Sequence, residues 1–256
     1  MKKQYIRIIT LCVAFLSFSS IMNAFANEHY WYCKRNSEHK QPTLDENFSY
    51  IKDYGGFYVD ERYSDNITDK VIYLTFDAGY ENGNVAKILD VMRDEGVVGS
   101  FFILGNLIDK NPDLVLRMVD EGHIVCNHTV NHVNLTNASK EKFNEEVLGL
   151  EEKYKELTGK EMSKFFRPPE GTFSENMLKM AHNLGYRTAF WSFAYADWDN
   201  GAQMKSDVAM KKILDNLHNG EIMLLHPTSA TNAAIMKDLI RELKAQGYRF
   251  ATLEEI

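Results

Sequence analysis

Short apolar segments and amphipathic segments alternate about seven times between Val71 and Thr252, and this order constrains the fold most. The apolar segments are rich in strand formers, whereas the amphipathic segments carry apolar residues at helical spacing. Such alternation predicts parallel strands joined by crossover helices. The predicted strands span residues 71–76, 97–104, 124–126, 165–166, 187–193, 222–225 and 249–252. The predicted helices span residues 84–95, 112–121, 143–157, 174–183, 207–217 and 231–246.

The fold class that follows is α/β, with either an open doubly wound sheet or a barrel. Strand segments that are apolar on both faces fit a sheet covered by helices from outside. No G-x-G-x-x-G motif follows the first strand, which argues against a dinucleotide-binding sheet. We therefore favour a distorted (β/α)7 barrel, an irregular relative of the eightfold barrel, preceded by an irregular N-terminal extension.

The N-terminus has the features of a secretory signal peptide. Lys2, Lys3 and Arg7 are followed by an uncharged apolar stretch at residues 8–18, and Ala24-Phe25-Ala26 offers a cleavage site after Ala26. A retained membrane anchor is the alternative, but the stretch is short for a membrane span. We expect a secreted protein with a cleaved leader. The predicted parts are a signal peptide at 1–26, an N-terminal extension at 27–69 and the main domain at 70–256.

Composition narrows the function further. The formal net charge of −7 argues against nucleic acid as a partner, because duplex binding depends on clustered lysine and arginine. Hydrophobic residues make up 45% of the 256 residues, which is enough for one full core. Outside the predicted leader only Cys33 and Cys126 remain, and two cysteines are not a disulfide framework. A buried free thiol at Cys126 and a Cys33–Cys126 bridge both stay open.

Polar residues follow five of the predicted strands, at the ends where parallel barrels place their active sites. Two aspartates, three histidines and an arginine are expected to converge there, which argues for a site. The residues at these ends are Asp77, Tyr80, Glu81 and Asn82, then His128 and His132, then Arg167 and Glu170, then Asp197 and Trp198, and finally His226. The remaining histidines, which we interpret as surface or core residues, are His29, His39, His123, His182 and His218.

Two of these histidines have the spacing of metal ligands. A separation of four residues between His128 and His132 places both imidazoles on one side of a helical turn, where both can reach one cation. A surface pair is the commoner explanation for the spacing alone, but the position after a strand favours a shared metal. His226 is either a satisfied core histidine or a general acid whose pKa a carboxylate, Asp197, could raise.

Asp77 follows an apolar strand, and Arg167 follows another. A carboxylate held by an arginine stays ionised and can accept a proton, so the pair could act as a base. The alternative is a buried salt bridge that ties two strands together.

Five ordered motifs resemble those of the polysaccharide deacetylase family, the NodB-type family 4 carbohydrate esterases. The resemblance covers about residues 70–256 and is closest to one branch, the PdaA-type muramic acid deacetylases, or δ-lactam-biosynthetic de-N-acetylases. The motifs are T-F-D-A-G (Thr75 to Gly79), H-T-V-N-H (His128 to His132), R-P-P-E-G (Arg167 to Gly171), D-W (Asp197-Trp198) and L-L-H (Leu224 to His226).

The resemblance implies a hydrolytic site. Asp77 would be the general base that deprotonates the attacking water, and Arg167 would orient its carboxylate. His128 and His132 would hold one divalent metal, with Zn²⁺ expected and Co²⁺ or Mn²⁺ as alternatives. His226 would protonate the departing amine.

The resemblance also implies supporting roles. Asp197 would tune His226, and the backbone N–H at Glu170 would stabilise the oxyanion. Trp198 would wall the acetyl pocket, and Tyr80 and Glu170 would contribute to the substrate pocket.

Two positions depart from the family pattern. The family usually places a second aspartate, the third metal ligand, where this chain has Ala78. Water, substrate, Glu81 or Asn82 could complete the ligand set instead. Glu170 stands where many members carry a tyrosine, and its carboxylate could contact the sugar or remain exposed.

The function implied is N-deacetylation of N-acetylmuramic acid in peptidoglycan, leading to muramic δ-lactam in spore cortex. The alternatives are deacetylation of N-acetylglucosamine in peptidoglycan or chitin, and an inactive glycan-binding wall protein owing to Ala78. The expected partners are peptidoglycan strands, with no nucleic acid, and the chain is expected to be a monomer on the cell-wall side of the membrane.

Overall fold

The computed structural model describes residues 28–64 and 67–256. The predicted signal peptide at 1–26 lies outside these residues, so its cleavage and the secretion that it implies stay predictions. Within the described part of the chain, every helix is too short or too polar to cross a membrane.

The centre of the molecule is a parallel sheet that matches the predicted α/β class. Its strands are β2 (Lys70–Ala78), β3 (Ser100–Ile103), β4 (Ile124–Asn127), β5 (Phe165–Phe166), β7 (Arg187–Thr188), β8 (Glu221–Leu225) and β9 (Tyr248–Phe250). They are paired in the order β7-β5-β4-β3-β2-β8, and β9 pairs with the first residues of β2.

The parallel sheet is curved, and one chain segment bridges its two edges. Predicted strand 187–193 is regular only over its first two residues, yet the chain beyond them still bonds to neighbours. Phe193 pairs with Met223 of β8, and the Leu224 N–H donates to the Phe193 carbonyl at 2.9 Å. This segment therefore contacts both edges of the sheet. The result is a distorted, partly open barrel, as the sequence predicted.

Helices cover the outside of the sheet. Side chains and a glycine define several helix ends: Ser139 accepts from Lys142 N–H, Ser174 accepts from Met177 N–H, and Gly159 ends its helix with a φ of 69°. The six-residue helix Gly105–Lys110 was not predicted. The helices are α1 (Val85–Glu95), α2 (Gly105–Lys110), α3 (Pro112–Asp120), α4 (Lys140–Thr158), α5 (Glu175–Asn183), α6 (Ser206–Asp215) and α7 (Ala230–Ala245).

The pleat of β2 divides the core into two parts. Ile72, Leu74 and Phe76 pack outward against the helices, together with Ala78. Val71 and Tyr73 belong to the cluster on the other face. Because successive side chains of a strand point to opposite faces, Asp77 points inward, to the carboxyl end of the barrel.

The N-terminal extension is packed into the fold. Strand β1 (His29–Tyr30) pairs antiparallel with β6 (Thr172–Phe173), a two-stranded sheet that the sequence did not predict. Trp31, Phe48 and Ile51 are buried against Phe173 and other aromatic side chains. The extension also holds 3-10 turns at Glu46–Tyr54 and Glu61–Tyr63.

Candidate active site

A pocket of about 680 Å³ opens where the parallel strands end. This volume is within the usual range for sites that bind small molecules or one sugar unit. Its position agrees with the expectation that the polar strand ends converge. The pocket is lined by Asp77, Gly79, Tyr80, Leu104, His128, His132, Glu170, Gly171, Trp191, Ala194, Tyr195, Trp198, Leu224, His226 and Thr228.

Asp77 and Arg167 form a buried ion pair beneath this pocket. Arg167 Nη1 donates to Asp77 Oδ1 at 2.8 Å, and the arginine side chain is fully buried. Its other nitrogens donate to Thr75 Oγ1, to the Ala189 carbonyl and to the Phe190 carbonyl. These bonds satisfy the guanidinium and fix the carboxylate, so the pair ties strands together and also aims Asp77 at the pocket.

The surroundings of Asp77 keep its carboxylate ionised. Burial by itself would raise the pKa of Asp77, but the charge of the adjacent Arg167 guanidinium, with the nearby His128 and His226 rings, outweighs burial and lowers the pKa below its ordinary value. An ionised carboxylate at the pocket floor can accept a proton from water.

His128 is held in one tautomer by its neighbours. Its Nδ1 lies 2.8 Å from the Arg167 carbonyl, and a carbonyl can only accept, so Nδ1 carries the proton. Nε2 is then free of hydrogen and lies 3.5 Å from Asp77 Oδ2. Burial lowers the pKa of His128 to about 4, which keeps the ring neutral at physiological pH.

His132 lies beside His128, but not through the predicted helical turn. The chain between them bends through left-handed residues, Thr129 with a φ of 77° and His132 itself with 56°. The prediction of a helical turn was therefore wrong, because the loop after β4 is irregular. The two ring centroids are nonetheless 5.0 Å apart.

Asp197 and His226 form the second acid–base pair. His226 Nδ1 lies 2.7 Å from Asp197 Oδ1, and the His226 N–H donates to Asp197 Oδ2 at 2.8 Å. Asn232 also donates to Asp197 Oδ2, at 2.6 Å, which fixes the carboxylate. Burial lowers the pKa of His226, but the hydrogen bond and charge of Asp197, with the charge of Asp77, outweigh burial and raise it. The shift favours the protonated form of His226, and because Nδ1 is bonded to Asp197, Nε2 is the ring nitrogen left to donate to a substrate.

The rim of the pocket carries the other predicted residues. Trp198 lines the pocket with its ring 6.1 Å from His226, yet the side chain is 60% exposed. This exposure places Trp198 at the mouth of the pocket, and its contact with an acetyl group stays a prediction. Tyr80 is also exposed, and its hydroxyl accepts from Asn200 at 2.6 Å. Glu170 also lines the pocket and is exposed, with a left-handed φ of 58°.

Sequence reasoning missed several apolar residues of the pocket. Trp191 lies between Arg167, whose guanidinium carbon is 5.7 Å from the indole ring, and Gly171. Tyr195 and Leu104 also line the walls. Trp191 falls inside a predicted apolar strand, so nothing in its local pattern separated it from an ordinary core residue. A tryptophan within the strand that precedes Asp197 was the only available signal.

The histidines that the sequence analysis interpreted as surface or core residues do not line the pocket. His123 is buried and accepts from the Gly99 N–H at 3.1 Å, and burial lowers its pKa to about 4. His218 is buried beside Ser192 and Glu221. Cys33 and Cys126 are both free thiols, so the open question of a bridge between them is answered in favour of free cysteines.

Comparison with known proteins identifies the family of this arrangement. Residues 64–189 match a family model that is described as "Polysaccharide deacetylase". The chain is 39% identical over 227 residues to the peptidoglycan-N-acetylmuramic acid deacetylase PdaA of Bacillus subtilis, covering 88% of this chain and 84% of that protein. The chain belongs to the polysaccharide deacetylase family. Its members are hydrolases, and they generally depend on a metal.

Solved structures and other relatives of the polysaccharide deacetylase family agree with this assignment. The structure of Bacillus subtilis PdaA, a family 4 carbohydrate esterase, superimposes with a TM-score of 0.83, covering 89% of this chain and 96% of that one. A peptidoglycan-N-acetylglucosamine deacetylase of Bacillus cereus is 34% identical over 194 residues, which is 73% of this chain and 88% of that protein.

The donor set fits part of a metal site of this family. His128 offers a neutral imidazole with Nε2 free of hydrogen, as a ligand requires, and the ring of His132 is adjacent. Within residues 28–64 and 67–256, no group of three His, Cys, Asp or Glu side chains is arranged to hold a metal. Two protein ligands would therefore need water or substrate to complete the coordination.

The two side chains considered as a third ligand are engaged elsewhere. Glu81 accepts from the backbone N–H groups of Gly83 and Ala86 at the start of α1. Asn82 donates to the Thr228 carbonyl at 2.8 Å. The methyl group of Ala78 packs in the outer apolar cluster.

Replacement of His132 by alanine is expected to weaken zinc binding at least roughly tenfold, since loss of even an outer-shell partner costs that much. Competition with a chelator of known affinity measures the effect. His182→Ala is the matched control, because this ring packs against Tyr54 away from the pocket. Equal zinc affinity in the wild type and the His132 variant would remove His132 from the ligand set.

Proposed function

We propose that the protein removes the acetyl group from N-acetylmuramic acid residues of peptidoglycan and so prepares muramic δ-lactam in spore cortex. The observation that supports this proposal most directly is that a base, Asp77, and an acid, His226, line one pocket beside the imidazoles of His128 and His132. Amide hydrolysis needs these groups, because the amide carbonyl is a poor electrophile and the amine is a poor leaving group.

The proposal gives each of the chain's own residues a role that the family resemblance implies. Asp77 takes a proton from the attacking water as oxygen bonds to the acetyl carbon. The backbone N–H at Glu170 stabilises the negative charge on the carbonyl oxygen. His226 gives the proton of Nε2 to the nitrogen as the carbon–nitrogen bond breaks, which yields acetate and a free amine. A divalent metal held by His128 and His132 would supply Lewis acidity at the carbonyl and at water.

Support for the muramic substrate comes from the share of this chain that aligns with each relative. The match to the muramic acid deacetylase extends over 88% of the chain, against 73% for the glucosamine enzyme. The additional coverage favours the muramic substrate over the glucosamine alternative. Export to the cell-wall side of the membrane is proposed with it, because peptidoglycan lies there and the N-terminus has signal-peptide features.

Acetate release from two defined glycans tests the substrate. In one glycan only the muramic residues are acetylated, and in the other only the glucosamine residues. We expect the zinc-supplemented protein to release acetate from the first. Release from the second alone would assign the glucosamine alternative. Binding of both glycans without release, with zinc, cobalt or manganese present, would assign the inactive wall-binding alternative that Ala78 raises.

Replacement of Asp197 by asparagine is expected to shift the alkaline limb of the pH–rate profile to lower pH. Asp197 raises the pKa of His226, so the protonated acid persists to higher pH in the wild type; without that charge the pKa falls. The expected shift is about one pH unit or more. Asp199→Asn is the matched control, since the Asp199 carboxylate accepts from the Gly201 N–H two residues further along the same loop. An unmoved alkaline limb would mean that His226 is not the acid.

A further inference from the structure

Trp31 of the N-terminal extension joins two segments that border the pocket. Its backbone N–H donates to the Gly171 carbonyl at 2.9 Å. Its indole Nε1–H donates to the Trp191 carbonyl, also at 2.9 Å. The indole ring stacks on Phe190 with centroids 4.3 Å apart. One side chain and its amide therefore hold the loop before β6 against the segment after β7.

Both segments supply groups to the active site. The loop of residues 167–171 carries the guanidinium that holds Asp77, and its first carbonyl fixes the tautomer of His128. The segment of residues 189–191 gives two carbonyls to the same guanidinium and places the Trp191 ring in the pocket wall. A shift between the two segments would displace several catalytic groups together.

The loop held by Trp31 has a strained backbone. Glu170 and Gly171 are consecutive left-handed residues, with φ of 58° and 69°. A side chain at position 171 would collide with Trp191, whose Cη2 would lie 2.6 Å from the added Cβ, and would press on Trp31. A non-glycine residue such as Glu170 keeps this conformation only where its surroundings enforce it. Pairing of Tyr30 with Thr172 adds to that enforcement.

We propose that Trp31 is a positioning residue of the active site, which sets the Glu170 N–H and the Trp191 wall against the substrate carbonyl. The N-terminal extension is then part of the catalytic apparatus. This inference rests on the proposed deacetylase function for its kinetic test, but its structural part can be tested without activity.

Kinetics separate this role from a general loosening of the fold. Trp31→Ala is expected to lower kcat roughly ten- to a hundredfold, as small misplacements of catalytic groups do, with KM changed by less than about twofold. Trp31→Phe keeps an aromatic ring on Phe190 but loses the indole donor, so an intermediate loss of kcat is expected. This milder variant guards against an alanine variant that does not fold.

Tyr32→Ala is the matched control. Tyr32 is the next residue of the same extension and is 49% exposed; its hydroxyl donates to Asp45, and its ring edge packs on Phe48. It contacts neither segment through any of these bonds. We expect the kcat of Tyr32→Ala to stay near the wild-type value, even if the melting temperature of this variant falls as far as that of Trp31→Phe.

Amide hydrogen exchange of the peptide that covers residues 168–173 gives the readout independent of turnover. Faster exchange in both Trp31 variants, and wild-type exchange in Tyr32→Ala, are expected. Unchanged amide exchange in the Trp31 variants would overturn the proposal. So would a kcat of the Trp31 variants equal to that of Tyr32→Ala. A wild type that deacetylates no glycan would overturn the proposed function, and the exchange rates would still decide whether Trp31 holds the loop.

Discussion

Asp77→Asn is expected to lower the rate of deacetylation about 10²- to 10⁴-fold, the usual contribution of a general base. The carboxamide has nearly the shape of the carboxylate, but it cannot accept the proton of water. The fold should persist, because Arg167 keeps Thr75 and the carbonyls of Ala189 and Phe190 as acceptors. Acetate release under saturating glycan measures the rate, and circular dichroism verifies the fold.

The control for this variant is Asp199→Asn, which removes one carboxylate from the exposed loop after β7. It should retain wild-type turnover. Deacetylation by the Asp77 variant at the wild-type rate would remove Asp77 from the mechanism, and the base would have to be sought elsewhere.

Arg167→Leu is expected to lower the free energy of unfolding by about 3–5 kcal/mol, the usual cost of breaking a buried ion pair. Leucine leaves the carboxylate of Asp77 buried and without its strongest partner. The pKa of Asp77, which the arginine lowers, should rise as a result. Denaturation by urea measures the stability, and turnover should fall in parallel because the base becomes harder to ionise.

The double variant Asp77→Asn with Arg167→Leu tests the reason for that loss. It removes both charges, so no lone charge stays buried, and it should be more stable than Arg167→Leu alone. A double variant as unstable as the single one would show that lost packing against Phe102, whose ring lies 4.0 Å from the guanidinium carbon, dominates instead.

The sequence predicted the parts of the fold that periodic patterns encode. The pattern around Leu74 and Phe76 identified β2, and the helices ended where glycines such as Gly159 allow a left-handed turn. The convergence of Asp77, His128 and His226 followed from one rule, that the carboxyl ends of parallel strands share an edge. Local signals and a topological rule were sufficient here.

Features that depend on long-range contacts could not be predicted. The pairing of β1 with β6 joins two-residue strands more than a hundred residues apart, and strands so short leave no periodic signal. The irregular turn between His128 and His132 depends on left-handed residues that are not glycine. The exposure of Trp198 and the position of Trp191 in the pocket wall are set by tertiary packing. These features decide how the pocket is shaped.

The most direct test of the account is mass spectrometry of peptidoglycan strands after incubation with the zinc-supplemented protein, with fragmentation to locate each free amine. The account predicts amines on muramic residues with the wild type and none with Asp77→Asn. Glycan that keeps every acetyl group in the presence of the folded, metal-supplemented wild type would contradict it.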